Sequence, residues 1–290
     1  KVLMKSHTQV VVIGGGVVGC SVLYHLTKLG WKDAVLLERS GLTSGSTWHA
    51  AGGMHTINGD PNVAKLQQYT IELYQELEVL SGQDISLHMS GGIMLAATQE
   101  RFDWLKSIHA KGRYLGMNTE IISPQEAKKI MPLINPDHFV GALHDPLEGH
   151  LDPSGTTWAY ANAAKKHGGE IVQNVRVTDL QTNPKGGWRV ILENGESGEQ
   201  QEINAEHVVN AGGLWAREVG QLAGINLPIQ PMEHHYLITD SIPEIEALPE
   251  GQRLPIGTDF EGNIYFRQEG KGMLLGTYEQ QSTPWKIEGT

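Results

Sequence analysis

Two groups of residues near the start of the chain have the types and spacing that bind a nucleotide. The first is Gly14-x-Gly16-x-x-Gly19, directly after the apolar residues 10–13. In such a turn the first glycine permits a tight bend and the second lets the backbone approach a pyrophosphate. The third lets helix and strand pack closely. Glu38 follows 19 residues after Gly19. A carboxylate at this position can accept hydrogen bonds from an adenosine ribose. These residues predict a dinucleotide site but do not separate NAD from FAD.

The second group is a polar loop that ends in a histidine. Residues 41–47 are small and polar enough for their backbone to wrap phosphate or ribityl oxygens, and His49 follows two positions later. Histidine titrates near physiological pH, so a neutral, nucleophilic imidazole is accessible there. On spacing alone, a packed or surface histidine is the simpler interpretation of His49. An NAD-dependent dehydrogenase would not need this loop, so its presence favours a flavin.

Apolar periodicity predicts the elements that position these groups. Residues 10–13 are a continuous apolar run, typical of a parallel strand buried on both faces, and residues 34–38 are predicted to form a second buried strand that ends at Glu38. Between them apolar residues recur at helical spacing, and a glycine stands at the C-cap position: Val18, Val22, Leu26, Leu29 and Gly30. The pattern predicts a βαβ unit whose parallel sheet has helical cover on both faces.

The rest of the chain alternates between helical and strand patterns. Capping residues predict helices that start at Asp60, Thr98, Ser123 and Asp152, with a strand at 91–96. After residue 169 the period is two, which predicts strands at 170–180, 187–193, 200–204 and 208–213, with Asn194-Gly195 as a hairpin turn. The chain is again strand-rich from 229 onward. Two regions are therefore expected to be interleaved along the chain.

Composition excludes several classes of protein. The formal net charge of −11 argues against nucleic-acid binding, and no apolar run approaches the length of a membrane span. A single cysteine, Cys20, rules out an internal disulfide and a cysteine-rich metal site. We also predict no catalytic metal, because the histidine pairs lack a carboxylate-rich or cysteine partner at ligand spacing: His49/His55, His144/His150 and His234/His235.

Six strings distributed along the chain resemble the dimethylglycine dehydrogenase and sarcosine dehydrogenase family of flavoproteins. In chain order they are Val12-Ile13-Gly14-Gly15-Gly16, Leu36-Leu37-Glu38-Arg39, Gly45-Ser46-Thr47-Trp48-His49-Ala50-Ala51-Gly52, Gly149-His150-Leu151-Asp152-Pro153, Asn210-Ala211-Gly212-Gly213-Leu214-Trp215-Ala216-Arg217-Glu218-Val219-Gly220, and His234-His235-Tyr236. The resemblance implies an α/β fold of the D-amino-acid-oxidase and glycine-oxidase type. A Rossmann-like FAD-binding domain (8–85 and 149–225) would be interleaved with an antiparallel-sheet substrate domain (86–148 and 226–290).

The resemblance also implies how the cofactor is held. His49 would carry FAD through a covalent bond from a ring nitrogen to the 8α carbon of the flavin. For Val177, an ordinary core valine is an equally available interpretation. The cofactor-binding residues predicted by the glycine motif and the resemblance together are Gly14, Gly16, Val17, Val18, Gly19, Glu38, Arg39, Gly45, Ser46, Thr47, Trp48, Ala50, Gly52, Val177 and Trp215.

For the substrate, the resemblance points to His234 and Tyr265, which in the family position an N-methylated glycine beside the flavin. A hydride would leave the N-methyl carbon, which requires a neutral amine. Dimethylglycine is the leading candidate and sarcosine the next, with electron-transfer flavoprotein or oxygen as electron acceptor. His235 stands where the better-known members have glutamine, so it too is a candidate substrate residue. Arg267 could receive a carboxylate, although an exposed strand arginine is the simpler interpretation.

Other interpretations stay open at this point. The regulatory subunit of pyruvate dehydrogenase phosphatase shares the fold without a dehydrogenase role, and an inactive truncated domain is a further alternative. That lineage lacks the histidine after Ser-Thr, so His49 favours an enzyme. Family members continue with a segment that closes the FAD domain, and most add a folate-binding domain, so we expect this chain to be an N-terminal fragment. Tetrahydrofolate would be a partner only if such a domain exists. The expected compartment is the bacterial cytoplasm or the mitochondrial matrix.

Overall fold

Two sheets, a two-stranded ribbon and seven helices make up the part of the chain that the computed structural model describes, residues 5–285. The strands are β1 (His7–Ile13), β2 (Ala34–Leu37), β3 (Gly53–Met54), β4 (Gly92–Ala96), β5 (Glu120–Ile122), β6 (Gly141–Asp145), β7 (Gly149–His150), β8 (Glu170–Val172), β9 (Val175–Thr182), β10 (Trp188–Asn194), β11 (Gln200–Asn210), β12 (Tyr236–Ile238), β13 (Ile256–Asp259), β14 (Ile264–Glu269) and β15 (Gly272–Thr277). The helices are α1 (Val17–Lys28), α2 (Pro61–Ser81), α3 (Gln99–Tyr114), α4 (Pro124–Ile130), α5 (Pro153–Lys166), α6 (Ala216–Leu222) and α7 (Pro243–Glu246).

The first sheet has the strand order β8-β2-β1-β11-β10-β9. Its first four strands run parallel, with β1 pairing to both β2 and β11, and β10 and β9 are antiparallel. Val11, Val12, Val35 and Leu36 are fully buried, which confirms the prediction of strands covered on both faces. Helices α1 and α5 cover one face, whereas side chains of β9 and β10, joined by the short helix α6, pack on the other, so the predicted helical cover of both faces is only partly correct.

Short polar side chains begin the predicted helices. Asp60, Thr98 and Asp152 each accept hydrogen bonds from backbone N–H groups of the first turn. Ser123 forms a complete capping box with Glu126. These four helix starts are confirmed. Such caps satisfy N–H groups that have no partner within the helix, and each stabilises its helix by about 1 kcal/mol.

The strands after residue 169 differ from prediction in three places. The segment 170–180 forms two strands on opposite edges of the first sheet, and Asn174 between them adopts a left-handed conformation (φ 59°), which breaks the extended backbone there. The segments predicted at 200–204 and 208–213 instead belong largely to one strand, β11. The hairpin between β10 and β11 has a five-residue loop, 195–199, rather than a two-residue turn. Here the Asn194 side chain accepts from the N–H groups of Glu196 and Ser197.

The second sheet has the order β12-β15-β14-β13-β4-β6-β5. It is antiparallel except that β13 pairs parallel with β4, so this sheet is mixed rather than purely antiparallel. Its strands alternate along the chain with those of the first sheet, and the ribbon β3–β7 is hydrogen-bonded to neither sheet. The predicted α/β fold with two interleaved sheet regions is confirmed, while the segment boundaries stay a prediction. Between residues 5 and 285, none of the helices is long and apolar enough to cross a membrane.

Candidate functional site

A cleft of about 960 Å³ lies at the carboxyl ends of β1, β2 and β11. It is lined by residues 13–18, 37–39, 45–47, 175–178 and 210–216, together with a few further side chains. In sheets of this kind, ligands bind outside the carboxyl ends of the parallel strands. The glycine turn and the polar loop, separated by about thirty residues in the sequence, are adjacent in this cleft.

The three motif glycines have different neighbours. Gly14 has φ 114°, and a Cβ there would lie 2.3 Å from the Ala211 carbonyl oxygen. A Cβ on Gly19 would lie 1.9 Å from the carbonyl oxygen of Gly14. At Gly16 the nearest atom is the Thr47 hydroxyl oxygen, 3.0 Å away. Gly14 and Gly19 are therefore required for backbone packing, whereas Gly16 lines the open cleft.

The start of α1 provides an anion site. Its N-cap residue, Gly16, has no side chain, and no acidic residue occupies its first turn. The Val17 N–H donates to the Thr47 hydroxyl at 3.1 Å, which ties the polar loop to the helix. Free N–H groups and the positive end of the helix dipole favour a phosphate at this position. The arrangement fits the pyrophosphate of a dinucleotide.

Glu38 holds the glycine turn as well as lining the cleft. Its carboxylate accepts hydrogen bonds from the backbone N–H groups of Gly15 (2.6 Å) and Ser40 (2.8 Å). A carboxylate has about four lone-pair directions, so it retains acceptor capacity for ribose hydroxyls. Sequence reasoning assigned only the ribose role to Glu38 and missed its bond to the turn.

The opposite wall of the cleft contains a stacked pair. The Arg39 guanidinium lies 3.6 Å from the ring centroid of Trp215, and Trp215 contacts Trp285 edge to face. Val177 lines the cleft as well.

Glu218 also lines the cleft, and its buried Oε2 accepts no hydrogen bond from residues 5–285. An unpaired acceptor in a cleft matches a ligand with hydroxyl or amino donors, as a ribose or adenine has. The cleft therefore fits FAD.

Most predicted cofactor residues line the cleft, and four do not. Gly19 packs against the backbone of Gly14, and Trp48, His49 and Gly52 are not among the lining residues, although their neighbours Thr47 and Ala50 are. His49 is the exposed last residue of a 3₁₀ helix, with its ring centroid 3.8 Å from that of Trp48. Sequence reasoning missed the lining residues 210–214, Arg176 and Glu218. The small residues that follow the apolar strand of β11 were the available signal.

Arg267 connects the second sheet to the segment after His49. Its Nε donates to the Ala51 carbonyl oxygen, its Nη1 lies 2.6 Å from Glu269, and its side chain is only 12% exposed. The expectation of an exposed strand arginine is therefore wrong. Alternate residues of a strand point to the same face, so Tyr265 and Arg267 share one face of β14. The bond to Ala51 turns that face toward the His49 segment.

His234 and Tyr265 are brought into one cluster by two residues that sequence reasoning missed. His234 Nδ1 lies 2.8 Å from the Glu279 carboxylate. The Tyr278 ring lies 5.7 Å from that of His234 and 5.4 Å from that of Tyr265. The 79% exposed side chain of His235 lies 3.7 Å from the same carboxylate. No motif signals Glu279, because it is 45 residues away from His234 in the sequence.

Three histidine pairs were expected to lack a carboxylate partner. In two of them, one histidine lies beside a carboxylate in the folded chain. Glu279 pairs with His234, and the buried Glu148 carboxylate lies 3.2 Å from His55 Nδ1. Burial lowers the pKa of His55, but the hydrogen bond and charge of Glu148 outweigh it and raise the pKa overall. Within residues 5–285, no group of three or more metal-ligating side chains has an arrangement that could hold an ion.

His150 is a buried histidine on the ribbon between the sheets. It pairs with Gly53, is 4% exposed, and its Nε2 has no hydrogen-bond partner in the described part of the chain. Burial, and after it the positive charge of Arg267, lowers the pKa of His150 to about 3. The imidazole is therefore neutral at physiological pH.

Replacing His150 by glutamine is expected to weaken the acid dependence of stability. The unfolded chain takes up the proton near the ordinary pKa of about 6.5, and the folded chain takes it up only near pH 3. The stability that neutral His150 provides is thus complete above pH 6.5 and is lost as pH falls. Between pH 7 and pH 5 the free energy of unfolding should fall in both proteins. We expect the fall to be about 1 to 2 kcal/mol smaller in His150→Gln than in the original protein. Urea titrations measure this difference, with the exposed His138→Gln as matched control. An equal loss in His150→Gln and the original protein would contradict it.

A dinucleotide cleft on a parallel sheet, joined to a mixed sheet with a histidine–tyrosine cluster, defines a two-region dinucleotide-binding oxidoreductase. Residues 9–289 match the family model described as FAD dependent oxidoreductase. The chain belongs to this family.

Two of the relatives that the chain is similar to are named as dehydrogenases of dimethylglycine and of sarcosine. The chain is 41% identical to dimethylglycine dehydrogenase, mitochondrial, of Rattus norvegicus over 96% of its length. It is 36% identical to sarcosine dehydrogenase, mitochondrial, of Homo sapiens over 98% of its length. The chain spans about a third of the length of these relatives, 31% and 30% respectively.

Among solved structures, L-proline dehydrogenase from P. horikoshii superimposes with a TM-score of 0.83 at 27% identity. The match covers 94% of this chain and 70% of that one. The resemblance inferred from the six sequence strings is thereby confirmed, as is the fold that it implied.

Proposed function

We propose that the protein carries out FAD-dependent oxidative N-demethylation of an N-methylated glycine, with dimethylglycine the preferred substrate and sarcosine the next. The observation that carries the proposal is the orientation of β14. Its face with Tyr265 and Arg267 is turned toward the segment directly after His49. The names of the two relatives support the substrate class.

The cofactor is proposed to be covalently bound. Gly16 and the first turn of α1 would hold the pyrophosphate, and Glu38 the adenosine ribose. His49 would be bonded through a ring nitrogen to the 8α carbon. Its exposed position at the end of a 3₁₀ helix, with Ala50 at the border of the cleft, leaves the imidazole accessible for that bond. When bound, the flavin supplies the acceptor for the hydride that leaves the N-methyl carbon.

The side chains of the second sheet are proposed to bind the amino acid. Arg267 Nη2 has no hydrogen-bond partner among residues 5–285, so it can receive the substrate carboxylate. His234 and Tyr265 would hold the amine. Burial, with the neighbouring Tyr278 as the next cause, raises the pKa of Tyr265, so its hydroxyl stays a neutral donor. His235 is exposed above the pair and is placed to affect which amine is accepted.

Mixing the holoprotein anaerobically with candidate substrates tests this function. We expect dimethylglycine to bleach the flavin absorbance fastest, sarcosine more slowly, and betaine not at all. Betaine has no amine lone pair, whereas hydride loss from the N-methyl carbon requires one. The variant Arg267→Lys tests the carboxylate site, because it keeps the charge but loses the planar fork and should raise the substrate concentration needed for half-maximal rate about tenfold or more. Bleaching by betaine alone would contradict the mechanism, and bleaching by none of the three would favour a regulatory or inactive protein.

The partners and the compartment of the protein are proposed by analogy with the two dehydrogenases named above. Electron-transfer flavoprotein or oxygen would reoxidise the flavin, and tetrahydrofolate would be involved only if the whole protein has a folate-binding domain. The two relatives are described as mitochondrial, which agrees with a mitochondrial matrix location, with a bacterial cytoplasm as the alternative.

A further inference from the structure

At the edge of the second sheet the carboxylate of Glu279, which has no role in the function proposed above, is hydrogen-bonded to His234. Glu279 follows β15, and His234 precedes β12, the neighbouring edge strand. Oε2 of Glu279 lies 2.8 Å from His234 Nδ1, and its Oε1 accepts a hydrogen bond from the Thr277 hydroxyl at 2.8 Å. Two partners therefore hold this carboxylate in one orientation, although it is partly exposed.

The geometry decides which ring nitrogen of His234 is available. A neutral imidazole has one donor and one acceptor nitrogen, and the hydrogen bond of one sets the role of the other. A carboxylate can only accept, so Nδ1 must carry the proton that it donates to Glu279. Nε2 is then the unprotonated nitrogen. A carboxylate behind an imidazole also stabilises the imidazolium that forms when Nε2 takes up a proton.

The groups around His234 leave Glu279 as its anionic partner. His235 lies 3.7 Å from the other oxygen of the same carboxylate, and Tyr278 and Tyr265 lie beside the His234 ring. Tyr236, the next titratable group, contributes to the raised pKa of Tyr265. The hydrogen bond from His234, the largest cause, lowers the pKa of Glu279 to about 2. The carboxylate is thus ionised at neutral pH.

We propose that Glu279 is the positioning residue of the substrate site, which holds His234 so that Nε2 accepts the ammonium proton of the bound substrate. The inference rests on the proposed N-methyl amine substrate. In this step the substrate N–H bond breaks, an N–H bond forms at Nε2, and no electrons are transferred. The amine keeps its electron pair and becomes the neutral form from which a hydride can leave. His234 touches the substrate, and Glu279 acts through His234.

The first test measures the titration of His234 without substrate or turnover. Hydrogen–deuterium exchange at the imidazole C2 carbon, followed by mass spectrometry, gives a midpoint for a single histidine. The His235→Gln background removes the neighbouring histidine from the same peptide. We expect Glu279→Gln to lower the midpoint measured for His234, since the substitution removes the negative charge beside the ring and keeps the shape of the side chain. The control is Glu250→Gln, which removes an exposed carboxylate on a distant loop and should leave the midpoint in place.

The second test follows flavin bleaching by dimethylglycine as a function of pH. In Glu279→Gln the acid limb of the rate should move to lower pH together with the His234 midpoint, and the plateau rate should fall about threefold to tenfold. A purely structural role for Glu279 would lower the rate without moving either the limb or the midpoint. Circular dichroism and flavin content establish that the variant is folded.

The two tests separate this inference from the proposed function. An unmoved His234 midpoint, or an unmoved acid limb, overturns the positioning role of Glu279 even if dimethylglycine bleaches the flavin. If the midpoint moves but no N-methyl amine bleaches the flavin, the contact between Glu279 and His234 is supported and the substrate assignment fails. The proton-acceptor role of His234 is then overturned with it.

Discussion

Replacing His49 by alanine is expected to abolish flavin retention by the denatured protein. A noncovalent flavin is released when the cleft unfolds, whereas a bond to an imidazole nitrogen survives acid. The original holoprotein, precipitated in acid and washed, should keep its yellow absorbance with the polypeptide. The His49→Ala protein should leave all of it in the supernatant, and its rate of flavin reduction should fall by tenfold or more.

The control for this result lies six residues along the same segment. His55→Gln keeps a side chain able to bond Glu148 and should retain the flavin as the original protein does. A yellow His49→Ala polypeptide after acid treatment would place the bond elsewhere. A colourless original protein would show that the flavin is held by noncovalent contacts alone, and the covalent proposal would be withdrawn.

The second large effect is expected at Gly19. A Cβ there would sit 1.9 Å from the Gly14 carbonyl oxygen, so α1 would have to move away from the end of β1. Both elements belong to the fully packed core, which has no space for the displacement. We expect Gly19→Ala to lower the free energy of unfolding by about 3 kcal/mol or more, measured by urea titration of the protein without cofactor. Gly59→Ala is the control, since a Cβ at Gly59 meets open space.

Gly16→Ala is expected to weaken FAD binding without destabilising the fold. Its Cβ would approach only the Thr47 hydroxyl and would project into the cleft. We expect nearly unchanged stability and a tenfold or greater loss of FAD affinity, because the backbone can no longer approach the pyrophosphate. Measuring affinity in the His49→Ala background keeps the flavin exchangeable. Equal stability losses for Gly16→Ala and Gly19→Ala would show that the distinction between the two glycines is wrong.

Features encoded within a few neighbouring residues were predictable from the sequence. The βαβ unit, the caps at Asp60 and Ser123, and the close backbone packing at Gly14 and Gly19 depend on periodicity, side-chain length and backbone freedom. These properties act between residues that are close along the chain. The six family strings extended the prediction to FAD and to the residues His234 and Tyr265.

Boundaries set by long-range pairing were less predictable. The period of two after residue 169 indicated strands, but it did not show that β8 and β9 lie on opposite edges of one sheet. It also did not show that one strand, β11, continues from 200 to 210. Which strand pairs with which depends on the whole sheet, whereas alternation reports only that one face of a segment is buried.

The sequence by itself was enough to predict a dinucleotide-binding α/β protein. It also predicted the glycine turn and placed His49 at the end of the polar loop that follows it. Only the tertiary structure decided that Arg267 is half-buried against the segment after His49, that the buried His150 is neutral, and that Glu279 is the partner of His234. The physical reason is the range of the forces involved. Helix caps and tight turns are settled by local hydrogen bonds, but the ionisation and orientation of a side chain depend on burial and on charges from distant parts of the chain.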